Sequence, residues 1–135
     1  MLRVENLQSA YGDSRILFGI DLEVGAGEVV TLLGRNGMGK TTTINSIFGL
    51  VKPRGGCVTI DGVDVTGRQP HVVANRGLGL VPEGRQIFPT LSVEENLVAT
   101  HRAGRGPAKW TLAEIYRLFP RLKERRRNMG NQLSG

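Results

Sequence analysis

A single cysteine, Cys57, rules out an internal disulfide in this chain of 135 residues. It fits a reducing compartment, and its residue type suits a small packing position in a strand better than metal or redox chemistry. No apolar run approaches the 18 or so residues that a membrane-spanning helix needs. Met1-Leu2-Arg3-Val4-Glu5-Asn6 lacks the apolar core of a secretion signal, so the chain is expected in the cytosol. Internal repeats and low-complexity tracts are also missing. What is present, 39% apolar and 22% charged residues, is normal for one soluble domain with a single core.

The net charge of +6 is local rather than spread. Arg117, Arg121, Lys123, Arg125, Arg126 and Arg127 face one acid, Glu124, so this stretch carries +5 of the total. It reads as a solvated helix end whose cations also suit the C-terminal helix dipole. A nucleic-acid contact is the competing reading of the same charges.

Phe18, Ile20, Leu22 and Val24 alternate with Gly19, Asp21 and Glu23, the period of a half-buried strand. Gly25-Ala26-Gly27 reads as a turn. Val29-Val30-Thr31-Leu32-Leu33 is a short β-branched apolar run, expected to be a strand covered on both faces as in a parallel sheet. From Lys40 onward, Ile44, Ile47, Phe48 and Val51 recur at helical spacing, and Lys52-Pro53-Arg54-Gly55-Gly56 is expected to break that helix. Val58 and Ile60 lead into an Asp61-Gly62 hairpin turn that returns through Val63 and Val65. Pro70 to Arg76 suits a short helix, and Leu78-Gly79-Leu80-Val81 another strand, halted by Pro82. Ser92-Val93-Glu94-Glu95 and Thr111-Leu112-Ala113-Glu114 each have capping-box spacing. Between them, Ala103-Gly104-Arg105-Gly106-Pro107 reads as a flexible link.

Gly34-Arg35-Asn36-Gly37-Met38-Gly39-Lys40-Thr41 matches G-x-x-x-x-G-K-[ST] in full. The glycines let the backbone curl so that successive N–H groups converge on anionic oxygens. The helix that follows adds its positive end. Lys40 can reach the β- and γ-phosphates of a nucleotide, and the Thr41 hydroxyl can ligate Mg²⁺, which favours oxygen donors. Thr42 is placed to add a hydrogen bond to the α-phosphate. The residues therefore point to binding of ATP with Mg²⁺.

Gly34 to Thr42 resembles the G-x-N-G-x-G-K-T-T form used by ABC ATPases. Tyr11-Gly12 lies where that family places an aromatic residue that stacks on adenine, a contact type that contributes about 1–3 kcal/mol. Leu133-Ser134-Gly135 is similar to the opening of the family's L-S-G-G-Q signature, which acts on the nucleotide held by the opposite subunit, so Ser134 and Gly135 are expected to act in trans. Pro82-Glu83-Gly84-Arg85, Phe88-Pro89-Thr90-Leu91-Ser92-Val93-Glu94-Glu95-Asn96-Leu97 and Tyr116 to Leu122 resemble the ATPase subunits of branched-chain amino-acid importers. Glu83 stands where most of the family carries the glutamine of the Q-loop. The resemblance thus implies a metal-proximal carboxylate there, the alternative being plain loop surface.

The resemblance implies an α/β P-loop NTPase of ABC type, its N-terminal part only. An antiparallel β subdomain and P-loop core would run to about residue 90, and the start of a helical subdomain from about 91 to 135. The family's Walker B strand, catalytic glutamate and switch histidine follow the signature. The chain is thus expected to lack catalytic residues and turnover of its own, and to be marginally stable. Val58-Thr59-Ile60-Asp61 imitates a Walker B strand but lies too early and runs into a glycine turn; His71 and His101 also precede the signature. The implied partners are a second ATPase subunit, membrane-embedded permease subunits and, indirectly, an extracytoplasmic binding protein, with the ATPase held at the inner face of the membrane and no nucleic acid bound. A urea or short-chain amide importer is the near alternative for the transported substrate.

Overall fold

The computed structural model describes residues 1–84, 86–99, 101 and 110–133. It comprises two compact units, Met1–Leu80 and Val81–Gly135.

The first unit is built on a four-stranded antiparallel sheet. Strands β1 (Leu2–Tyr11), β2 (Ser14–Val24), β3 (Gly55–Ile60) and β4 (Val63–Asp64) take the order β2-β1-β3-β4. The central strand, β1, carries no clean alternation and was not expected from its residues. Its buried positions are Val4, Leu7 and Ser9, a pattern that slips where Asn6 takes φ +46° and its N–H donates to Asp21 Oδ1 at 2.7 Å. The pairing register with both neighbours shifts across Asn6, and that with β2 shifts again at Leu7/Gln8 and Ser9/Ala10, so these irregularities hide a period of two. The turn over residues 25–28 and the Asp61-Gly62 hairpin, with φ of +48° and +75°, form as expected.

Helix α1 (Lys40–Ile47) packs on this sheet, with Ile47 joining Val4, Leu7, Leu17, Val58, Ile60, Val65 and Val73 in the core. It ends earlier than the spacing of Val51 predicts. Gly49, at φ +72°, donates to Ser46 O, and Leu50 N reaches back to Asn45 O at 2.8 Å, a Schellman closure. A Cβ at Gly49 would lie 2.1 Å from Arg68 O. The stop is therefore this glycine rather than Pro53, and Gly55-Gly56 belongs to β3. Helix α2 (Pro70–Ala74) adds Val73 to the core.

Two expected strands are absent among the described residues. Val29 to Leu33 pairs with nothing, and Val29 and Leu33 are 91% and 85% exposed. Leu78 to Val81 is likewise unpaired: Leu78 packs against the core, whereas Val81 is 95% exposed. A parallel strand takes every ladder bond from segments distant in sequence. The apolar composition of these runs marks surface suited to burial, but composition alone supplies no partner.

The second unit holds α3 (Val93–Ala99), α4 (Leu112–Leu118), α5 (Pro120–Glu124) and a 3₁₀ turn at Gly130–Gln132. At α3 the capping box closes in both directions. Ser92 N and Oγ donate to Glu95 Oε2 at 2.7 and 2.8 Å, and Glu95 N donates to Ser92 Oγ at 3.2 Å. At α4 only half of the device forms. Glu114 N donates to Thr111 Oγ1, but the Glu114 carboxylate turns to Arg117 at 2.9 Å. The link at 103–107 lies outside the described residues.

Candidate functional site

The chemistry-bearing loop enters α1 through Gly39, which caps the helix at φ +85° and ψ +4° without any side-chain cap bond. The helical ladder starts with Thr43 N donating to Gly39 O at 2.8 Å. The N–H groups of the first turn therefore receive no capping side chain, and no acidic residue sits in that turn to offset the helix's positive end. Gly37, at φ +81°, makes the other left-handed step of the loop, and Met38 N closes a turn onto Arg35 O at 3.3 Å. Gly34, Arg35, Asn36, Gly37, Met38 and Thr41 are exposed, Lys40 is half-buried, and Gly39 and Thr42 are buried.

Lys40 spans the loop. Its ammonium donates to Gly34 O at 2.5 Å and Arg35 O at 2.9 Å, so one cation is held over the whole curl of backbone. A lysine is suited to this place because its charge is compact and its three donors rotate freely. Arg35 adds an exposed cation beside half-buried Lys40, giving the loop a positive field for anions.

The loop's floor is β2. A Cβ on Gly39 would stand 2.8 Å from Leu17 Cδ2 and 3.4 Å from Ile16 Cγ2. Behind it, Ser9 Oγ and Ser46 Oγ share a buried hydrogen bond of 2.7 Å that ties β1 to α1, and Thr43 Oγ1 donates to Gly39 O at 3.0 Å. Sequence reasoning missed Leu17, Ser9 and Ser46 as supports of the site. Only a recognised β1 register would have brought Ser9 under the helix.

Beside the loop lies a cleft of about 350 Å³ lined by Arg15, Ile16, Phe18, Ile20, Gly37 and Met38 among others. The Arg15 guanidinium sits 5.6 Å from the centroid of the Phe18 ring, cation–π geometry, and donates to Gln8 Oε1 at 2.9 Å. Tyr11 ends β1 with its side chain 52% exposed, and it does not line this cleft.

The remaining expected site residues lie elsewhere. Glu83 is an exposed residue of the second unit, whereas Thr41 belongs to the first. Ser134, Gly135 and Arg85 lie outside the described residues. No cluster of three His, Cys, Asp or Glu side chains suited to a metal occurs among the described residues. The exposed Thr41 hydroxyl fits Mg²⁺ as one oxygen donor, the rest of the shell coming from substrate phosphates and water. Asp61, the end of the false Walker B run, pairs with the Met1 amine in the hairpin turn. In the basic segment, Arg117 and Arg121 pair with Glu114 and Glu124 at 2.9 and 2.8 Å. No helix among the described residues is long and apolar enough to cross a membrane.

Comparison with known proteins places these features in one family. The ABC transporter family model matches residues 17–135. The chain is 32% identical, over its whole length, to the high-affinity branched-chain amino acid transport ATP-binding protein BraG of Pseudomonas aeruginosa, of which it covers 58%. It is 41% identical over 73% of its length to the lipopolysaccharide export system ATP-binding protein LptB of Haemophilus influenzae, covering 41% of that protein. Among solved structures, the dimeric post-hydrolysis state of an ATP-binding cassette bound to ADP and Pi superposes with a TM-score of 0.72 at 26% identity, covering 99% of this chain and 63% of that one. The chain thus spans less than two thirds of the length of these relatives.

Proposed function

This chain belongs to the ABC transporter family, and from that premise we propose that it is the ATP-binding, energy-coupling part of an importer ATPase subunit. The observation that carries the reading is the hold of Lys40 on Gly34 O and Arg35 O, at 2.5 and 2.9 Å, above the uncapped start of α1. Phosphate oxygens are stronger acceptors for that ammonium than its own loop carbonyls. The first-turn N–H groups, which no side chain caps, and the helix dipole favour the same negative charge. Gly34 to Gly39 cradle the phosphates, Lys40 bridges the outer two, Thr41 offers its hydroxyl to Mg²⁺, and Thr42 serves the α-phosphate from the buried side of the first turn. Mg²⁺ held through Thr41 would neutralise charge on the phosphate oxygens. Tyr11 is assigned to the base. Glu83 is assigned to the neighbourhood of the metal, and Ser134 with Gly135 to the nucleotide held by a second subunit.

Hydrolysis is assigned to the whole protein working as a dimer, with binding and hydrolysis shifting membrane-embedded permeases between two states. Branched-chain amino acids are the proposed cargo. The likeness to BraG over the full chain supports this, while the likeness to LptB keeps other cargoes in play, with urea or short amides as the near alternative. The cargo would contact the permeases and an extracytoplasmic binding protein rather than this chain. The subunit itself is assigned to the inner face of the membrane, held there by the permeases.

Titration with Mg·ATP, followed calorimetrically with Lys40→Ala as the comparison, tests the cradle. Saturable binding that the variant loses, by about a hundredfold or more in Kd, is expected. Equal binding by both proteins would remove Lys40 from the site and sink the proposal.

A further inference from the structure

In the second unit, the loop from Ile87 to Ser92 exposes two large apolar side chains, Ile87 and Phe88, yet its backbone is fixed from two directions. From α3, Asn96 Oδ1 accepts from Phe88 N at 2.8 Å. Its Nδ2 faces the carbonyls of Phe88, Leu91 and Ser92 at 3.0, 3.1 and 3.0 Å. Two N–H donors are thus shared among three acceptors, and the amide has no unused donor. From the other direction, Gly130 N donates to Leu91 O at 2.8 Å and Asn131 N to Pro89 O at 3.1 Å. Ser92 bridges Met129 in antiparallel fashion, and Val93 N donates to Asn128 O at 2.9 Å. At Gly130 a Cβ would stand 2.6 Å from Phe88 O, 3.1 Å from Ile87 Cδ1 and 3.2 Å from Pro89 Cα. Only glycine permits that approach.

Neither residue is there for the helix or turn that contains it. Asparagine is a poor interior helix former, and no positive φ marks Gly130 as a turn glycine. Asn96 makes sense as the clamp that fixes the loop leading into α3, and Gly130 as the joint between that loop and a distant segment. We infer that Asn96 and Gly130 are positioning residues: Asn96 pins the loop 87–92 to α3, and Gly130 lets the segment 129–133 close onto that pinned loop, so that the chain leading to Ser134 is set by the loop. This rests on the reading above, in which Ser134 acts on a nucleotide held by a second subunit. The phosphate cradle belongs to the other unit and uses none of these bonds. Loosening the joint therefore lowers turnover and leaves nucleotide binding alone.

The test uses the full-length protein with Asn96→Ala and Gly130→Ala. The first keeps α3, since alanine is the better helix former; the second drives a methyl into Phe88 O. Steady-state ATP turnover, Mg·ATP binding and amide exchange are compared with the parent. Expected are a kcat lower by about tenfold or more, KM and Kd within about twofold, and faster exchange at the Gly130 and Asn131 amides. A kcat within about twofold of the parent in a folded Asn96→Ala protein, or turnover and binding sites lost in equal proportion, overturns the inference. A parent protein that binds Mg·ATP without turning it over would instead overturn the functional reading, and the joint's role with it.

Discussion

Gly37 and Gly39 occupy the same left-handed region, at φ +81° and +85°, yet their surroundings differ. A Cβ on Gly37 meets nothing within 4 Å, whereas one on Gly39 meets Leu17 at 2.8 Å. Gly37→Ala is expected to destabilise the first unit by about 1–2 kcal/mol, the cost of the backbone conformation alone. Gly39→Ala should cost clearly more, because conformational strain and a clash with a core side chain add. Urea denaturation compares them, and equal losses would mean that Leu17 is not the floor of the loop. The loop residues themselves were legible in the sequence, since they are fixed by local dihedral freedom and charge. Leu17 was not, because its role depends on which strand passes beneath Gly39.

Elements are joined here by small polar devices. The buried Ser9–Ser46 bond of 2.7 Å ties α1 to β1. Ser46→Ala leaves the Ser9 hydroxyl buried without that partner, and a loss of about 1–3 kcal/mol is expected. The Ser9→Ala, Ser46→Ala double variant should be less destabilised than the two single losses summed, which a denaturation cycle measures. At α3 the Ser92 backbone N–H, and then its hydroxyl, hold the Glu95 carboxyl below the ordinary glutamate range. A carboxylate with a depressed folded pKa stabilises fully above its unfolded value, about 4.3, and loses that contribution as pH falls through the folded value. Protection of the first amides of α3 should therefore decline below about pH 4. Glu95→Gln, which retains an acceptor but does not titrate, should flatten that decline; an unchanged pH profile would assign it to another group. The capping box at Ser92 and the N-cap at Thr111 were readable from spacing alone. Competition from Arg117 for Glu114 was not, and neither was β1, where the bulge at Asn6 breaks the alternation that identifies a strand.

Across the whole molecule, the apolar runs at 29–33 and 78–81 present unpaired backbone and exposed side chains, Val29, Leu33 and Val81 most of all. Such surface favours association. The chain of residues 1–135 is expected to associate reversibly with rising concentration and to bind a hydrophobic dye. Charge placed on these runs, by Val29→Lys with Val81→Lys, should reduce both. Light scattering decides it: a monodisperse parent that ignores the dye would show that these side chains find cover in solution.

The sequence by itself determined what depends on neighbours along the chain: the glycine loop at 34–39 with its left-handed steps, the helix that follows it, both capping positions, the Asp61-Gly62 hairpin and, through motif spacing, the family. Dihedral preference, charge and side-chain reach act over a few residues, so spacing is enough to read them. Tertiary structure alone decided which strand supports the loop, where α1 stops against Arg68, and how Gly130 joins the loop 87–92 to a segment far from it in sequence. It also decided that two strand-like runs remain unpaired. Strand pairing and close packing are set by distant partners, and an apolar run carries the demand for burial without saying what will meet it.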